Sequence, residues 1–142
     1  MTLLLDVNVV LIAHRSDHVQ HAVVRPWFDR LLADQRAVTI PSLVRASFVR
    51  LVTNRRVVET PTPVTAAFAF LRSLTEQPSY VALEPGTRHS ELFERACVEA
   101  DATGDLVTDA YLAALAIEHG CTLVSLDRDF ARFEGLRWER PG

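Results

Sequence analysis

The chain contains no lysine at all: each of its 15 basic residues is an arginine. That absence removes lysine-dependent chemistry as a class, including a phosphate-binding loop of the GxxxxGK[ST] form. Cysteine is scarce. Cys97 and Cys121 are the only two, far apart, with neither a CxxC nor zinc-type spacing. Free, reduced thiols are the expectation, as in a cytoplasmic protein. No apolar run approaches the ~20 residues that a membrane helix needs, and Asp6 and Asn8 interrupt the apolar start, which no basic segment precedes. The expectation is a soluble, cytoplasmic protein with no membrane partner. Excess positive charge is missing too. A net charge of −3 and a pI near 5.9 argue against wholesale coating of nucleic acid, while leaving room for a local basic groove.

What is present fits one domain over residues 1–142, with 49% apolar and 23% charged residues. The pattern predicts a strand at 2–5, a short helix at 8–14 and a second helical region opened by Asp17-His18 and running to Asp34. Pro26 either starts its main part or kinks it. A strand at 37–40 follows, then a helix to Asn54 with Ser42 as its cap. The "TPTP" of 60–63 reads as a loop before a helix near 64–76. Residues 80–83 read as a strand, with Pro85-Gly86 as the turn after it. Helices at 89–101 and 106–119 are separated at Gly104, and Gly120 suits a left-handed helix end. "CTLVSL" (121–126) reads as a buried strand, with a possible last strand at 136–138. Strands alternating with helices predict an α/β domain with a mostly parallel sheet.

Two apolar strands in this scheme end on carboxylates: "LLLD" at Asp6 and "LVSLDRD" at Asp127 and Asp129. In parallel α/β sheets the functional crevice lies beyond the carboxyl ends of the strands. Asp6 and Asp127 therefore belong on one edge of the sheet. Asp109, in the first turn of a helix that feeds a strand, joins them if the strands of 2–5 and 121–126 are neighbours. Gathered carboxylates repel and raise one another's pKa values, and a hard divalent cation, Mg²⁺ or Mn²⁺, relieves this. Each acid also has a plainer reading. Asp109 would complement a helix dipole, with Asp105 or Thr108 as cap, and Asp127 and Asp129 would cap a turn near Phe130. A carboxylate-bound Mg²⁺ usually serves phosphoryl or phosphodiester substrates. A haloacid-dehalogenase-like phosphatase would need a second aspartate where Asn8 stands, and a lysine further on. A response-regulator receiver also needs a lysine.

"LLLDVNVVL", "FVRLVTNRRV" and "TDAYLAALAIEHGCTLVSLDRDFARF", in that order along almost the whole chain, resemble a PIN-domain protein of the VapC toxin type. The resemblance implies a PIN-like three-layer fold, a mostly parallel twisted sheet flanked by helices. It also implies a Mg²⁺-dependent endoribonuclease, the toxin of a type II toxin–antitoxin pair, cleaving RNA phosphodiesters by in-line attack of a metal-activated water. The implied partners are a small VapB-like antitoxin, which lays a peptide across the active groove, the RNA substrate, and a second copy in a homodimer. Carried over, the catalytic and metal-binding acids are Asp6, Asp109 and Asp127, with Asp129 a nearby candidate. Asn8 becomes a hydrogen-bonding group behind them, and Ser125 shapes the loop that presents Asp127. One position departs from the pattern. The family often has a glutamate three residues before the arginine of the middle helix, and here Ser47 precedes Arg50. That departure supports an alternative, a catalytically impaired PIN-like module that binds RNA or antitoxin.

Arg45, Arg50, Arg55 and Arg56 cluster on the middle helix and its exit. They suit RNA phosphates, an acidic partner tail or a solvated face, and Arg50 is also placed to orient an active-site carboxylate. His14, His18 and His21 lack a fourth ligand for zinc and read as surface or half-buried residues. Trp27, Phe28, Leu31 and Leu32 form a helix face seeking burial, in the core or in a dimer interface.

Overall fold

Leu3, Leu4 and Leu5 alternate between the two faces of a strand, yet all three are buried. Burial on both sides is what a central strand covered by helices demands. The computed structural model, which describes residues 1–142, shows how this is arranged. The elements run β1 (Leu3–Leu5), α1 (Val7–His14), α2 (His21–Ala33), β2 (Val38–Thr39), α3 (Ser42–Val52), α4 (Val64–Thr75), α5 (His89–Glu99), α6 (Asp105–His119), β3 (Thr122–Val124) and β4 (Arg137–Glu139). The sheet order is β2-β1-β3-β4 and every pairing is parallel.

From β1 the chain crosses one way to β2, then back past β1 to β3. Right-handed crossovers in opposite directions place their helices on opposite faces. Accordingly α1 packs on α2 and α3, and α3 on α4, while α5 and α6 pair with each other and α6 meets β3. Phe28, Phe48, Leu74 and Leu115 are among the large side chains fully enclosed between these layers. Each contributes about 1.5–3 kcal/mol of burial. No helix is long and apolar enough to cross a membrane.

Several local expectations need correction. The second helix begins at His21, because residues 16–20 form turns in which His18 accepts a bond from Gln20 N at 3.0 Å. Pro26 sits within the continuous helix α2. Ser42 is not the cap of α3; Pro41 occupies that position and has no side-chain donor or acceptor. The Glu84 carboxylate caps the helix instead, accepting from Ser42 N at 3.1 and 3.0 Å and from Ser42 Oγ at 2.6 Å. The strand expected at 80–83 shrinks to one bridge between Val38 and Tyr80, with Val81 N donating to Val38 O at 2.8 Å. Gly120 does adopt the left-handed conformation (φ 67°) that ends α6 and turns the chain into β3. The two cysteines are free, Cys121 buried and Cys97 partly so.

Candidate active site

β1 and β3 are neighbours in register, Leu5 beside Val124. Asp6 and the Ser125–Asp127 segment therefore leave the sheet together at its carboxyl edge. Asp6 caps α1, its Oδ1 accepting from Val7 N at 2.7 Å. Its Oδ2 accepts from Ser125 Oγ at 2.7 Å and from Asn8 Nδ2 at 3.4 Å. Burial pushes the Asp6 carboxyl above its ordinary range; the bonds from Ser125 and Val7 pull it back, and Asp127 adds to the rise.

Ser125 is completely buried and joins the two strand ends. Besides donating to Asp6, its hydroxyl accepts from Asn8 Nδ2 at 3.1 Å and from Asp127 N at 3.0 Å. Asn8 completes the link by accepting from Leu126 N at 3.3 Å. Asp127 then caps a 3₁₀ turn over Arg128–Arg132, accepting from Asp129 N at 2.9 Å. The capping role and the site role of Asp127 thus coexist.

Asp109 reaches the same place from one turn inside α6. Its carboxyl is pushed up to about 7, first by burial and then by the charges of Asp127, Asp6, Asp129 and Asp105. Carboxyl oxygens of Asp109, Asp127 and Asp129 lie within 4.8 Å of one another. The expected grouping of Asp6, Asp109 and Asp127 is therefore rearranged: Asp129 takes a place in the compact trio, and Asp6 adjoins it through Ser125. All the donors are hard carboxylate oxygens, and Asp109 bears the mark of uncompensated negative charge. This donor set fits a Mg²⁺- or Mn²⁺-like cation.

Ser47, partly buried on α3, brings no carboxylate to the site. Arg50 is exposed, forms no ion pair or side-chain hydrogen bond, and lines a groove with Arg45, Val49 and Phe68. Among the histidines, His14 meets Thr62 Oγ1 at 3.0 Å against Phe48 and Phe70, and His21 meets Ile12 O at 2.7 Å. They take part in local packing and form no metal cluster. Two residues near the acids went unremarked in the sequence. Trp138 Nε1 donates to Ser125 O at 3.0 Å, and Arg140 Nη1 donates to Leu126 O at 2.9 Å. Trp138 lies on β4 and Arg140 just beyond its end, a strand that the sequence marks only weakly.

An all-parallel α/β domain with acids converging at the carboxyl edge of its sheet defines the class of protein to which this chain belongs. More particularly, the chain belongs to the PIN-domain family, which it matches over residues 3–136. It is 57% identical over 138 residues to ribonuclease VapC31 of Mycobacterium tuberculosis, covering 97% of each chain. Ribonuclease VapC25 of the same organism is 56% identical over 138 residues, again covering 97% of each. In solved structures the fold recurs in VapBC2 from Rickettsia felis, bound to a promoter DNA fragment, with a TM-score of 0.74 at 16% identity and full coverage of both chains. It recurs also in Mycobacterium tuberculosis VapC20, a toxin that cleaves the sarcin–ricin loop, with a TM-score of 0.67 at 16% identity over 95% of this chain and 98% of that one.

Proposed function

We infer that this protein is a divalent-cation-dependent endoribonuclease and the toxin of a type II toxin–antitoxin pair. The observation that carries the reading is the acid cluster at the β1/β3 edge of a PIN domain. Its support is the 57% identity, over nearly the whole chain, to a protein named as a VapC ribonuclease.

Asp109, Asp127 and Asp129 would hold the cation directly, with Asp6 beside them completing its surroundings as Mg²⁺ or Mn²⁺ enters. A cation bound there polarises the phosphodiester and lowers the pKa of a bound water for in-line hydrolysis. The chain's own contribution is preorganisation. Ser125 and Asn8 tie Asp127 to Asp6 through hydrogen bonds that join the ends of the two strands. Asp109, poised near neutral pH, would release its proton readily to a ligating role. No nucleophilic side chain is required. The trio of acids forms without help from position 47, which favours catalysis over the impaired binding module.

A VapB-like antitoxin is the partner that fits this reading, and a homodimer is the expected assembly. Phe68 and Val64, 48% and 53% exposed on α4, are apolar surface available to such contacts.

The deciding experiment incubates partner-free protein with structured RNAs in Mg²⁺, Mn²⁺ or EDTA. The expected result is cleavage in either cation, none in EDTA, and none from Asp6→Asn. Cleavage that persists in EDTA or in that variant refutes the mechanism.

A further inference from the structure

Several arginines of this fold are used up within it. Arg15 donates to both Asp17 oxygens at 3.0 and 2.6 Å, to Thr60 O at 2.7 Å and to Thr62 Oγ1 at 3.2 Å. Arg45 pairs with Glu84 at 3.1 Å, and Arg132 with Asp129 at 3.5 Å.

Arg140 is different. Ser125 N donates to Glu139 O at 3.1 Å, so the residue after Glu139 leaves the sheet level with the segment that presents the acids. Its Nη1 bonds Leu126 O at 2.9 Å, and this is its one hydrogen bond within the protein. A guanidinium carries five N–H donors, and no carboxylate lies within ion-pairing distance of this one. Nor is Arg140 part of a loose end: Trp138 before it is bonded to Ser125 O, and Pro141 after it is buried. The result is an anchored, exposed positive charge on the β4 side of a negative cluster, with most of its donors unpaired within the protein. Its bond to Leu126 O sets it beside the segment that carries Asp127 rather than among the acids themselves, a position that suits a phosphate next to the scissile one. A guanidinium fork matches phosphate oxygens in geometry and charge.

We propose that Arg140 grips the RNA backbone at a phosphate flanking the cleavage point, so that the bound strand passes along the β4 side of the acid cluster. The assignment rests on the ribonuclease reading and adds a substrate-binding residue outside the acids. A purely structural Arg140 would brace the Leu126–Asp129 loop, and its loss would then weaken cation binding instead.

The test compares wild type, Arg140→Ala and Arg140→Lys on a fluorescent single-stranded RNA, after circular dichroism confirms that each is folded. The expected result for Arg140→Ala is a KM raised about tenfold with kcat and Mg²⁺ half-saturation unchanged. The slope of log KM against log salt should fall by about 0.7, the loss of one single-strand phosphate contact, and Arg140→Lys should keep that slope. Unchanged KM and slope, or a shifted Mg²⁺ requirement with KM intact, overturns the proposal. If wild type cuts no RNA in Mg²⁺, the ribonuclease reading fails on its own. Fluorescence anisotropy of the same RNA in EDTA still decides the Arg140 contact, which is refuted if wild type and Arg140→Ala bind alike.

Discussion

Ser125 Oγ donates to Asp6 Oδ2 at 2.7 Å, joining the ends of two strands 119 residues apart in the sequence. The same hydroxyl accepts from Asn8 and from Asp127 N, so one buried atom fixes the spacing between the first acid and the last.

Replacing that hydroxyl should therefore cost both stability and activity. Ser125→Ala leaves Asp6 without its strongest side-chain donor and Asp127 N without an acceptor. Chemical denaturation should show a loss of about 1–3 kcal/mol. RNA cleavage should fall by on the order of tenfold or more although every acid remains. A fully active, equally stable variant would show that the bridge is incidental.

Asp109 gives a prediction with a definite sign. Its carboxyl stands at about 7 in the fold against an ordinary 3.8. Between those values the folded protein holds a proton that the unfolded chain has released, so this stabilising contribution is full below 3.8 and is lost as pH rises through about 7. Cation-free Asp109→Asn should therefore melt higher than wild type at pH 8, with the gap narrowing toward pH 4. Adding Mg²⁺ at pH 8 should raise the wild-type melting temperature and leave the variant nearly unmoved. A gap that widens on acidification would contradict the assignment.

The acids should also separate by role. Asp109→Asn and Asp127→Asn are each expected to lower kcat/KM by on the order of a hundredfold or more, with a higher Mg²⁺ concentration needed for half-maximal activity. Asp129→Asn removes the exposed member of the trio, and a smaller loss, about tenfold, is expected. Titration calorimetry with Mn²⁺ provides the independent readout. Equal affinity in wild type and all three variants would exclude the trio as ligands.

Glu84 offers a control remote from chemistry. Glu84→Ala removes the cap of α3 and the pairing with Arg45, at a cost of about 1 kcal/mol in thermal or chemical unfolding. Cleavage per folded molecule should be retained. Loss of activity in a well-folded variant would mean that α3 positions substrate.

The sequence made the site legible where chemistry follows local pattern. Apolar triplets ending in Asp6 and Asp127 announce strand ends, and the parallel arrangement assigns those ends to one edge. Asn8 and Ser125, singled out by resemblance, meet in the structure at one shared hydroxyl. What escaped depends on tertiary contact. The Glu84 cap lies 42 residues from Ser42, and no local preference links them. Residues 80–83 have strand composition, yet at the sheet's edge only Tyr80 and Val81 find partners. Arg50 looked like an active-site residue from its segment, but its side of α3 faces the Phe68 groove. Asp129, named from the sequence as a candidate beside Asp127, stands in the compact trio with Asp109, at the start of a 3₁₀ turn that leaves little trace in composition.

The order of the strands also has a temporal meaning. Synthesis delivers β1, β2 and all six α-helices while the segment bearing Asp127 is still unmade. Since β3 inserts beside β1 rather than at the growing rim, the acid cluster stays incomplete on a ribosome-bound chain until β3 and the turn behind it emerge and dock. On the proposed reading, a nuclease translated amid its own prospective targets would thereby be born harmless.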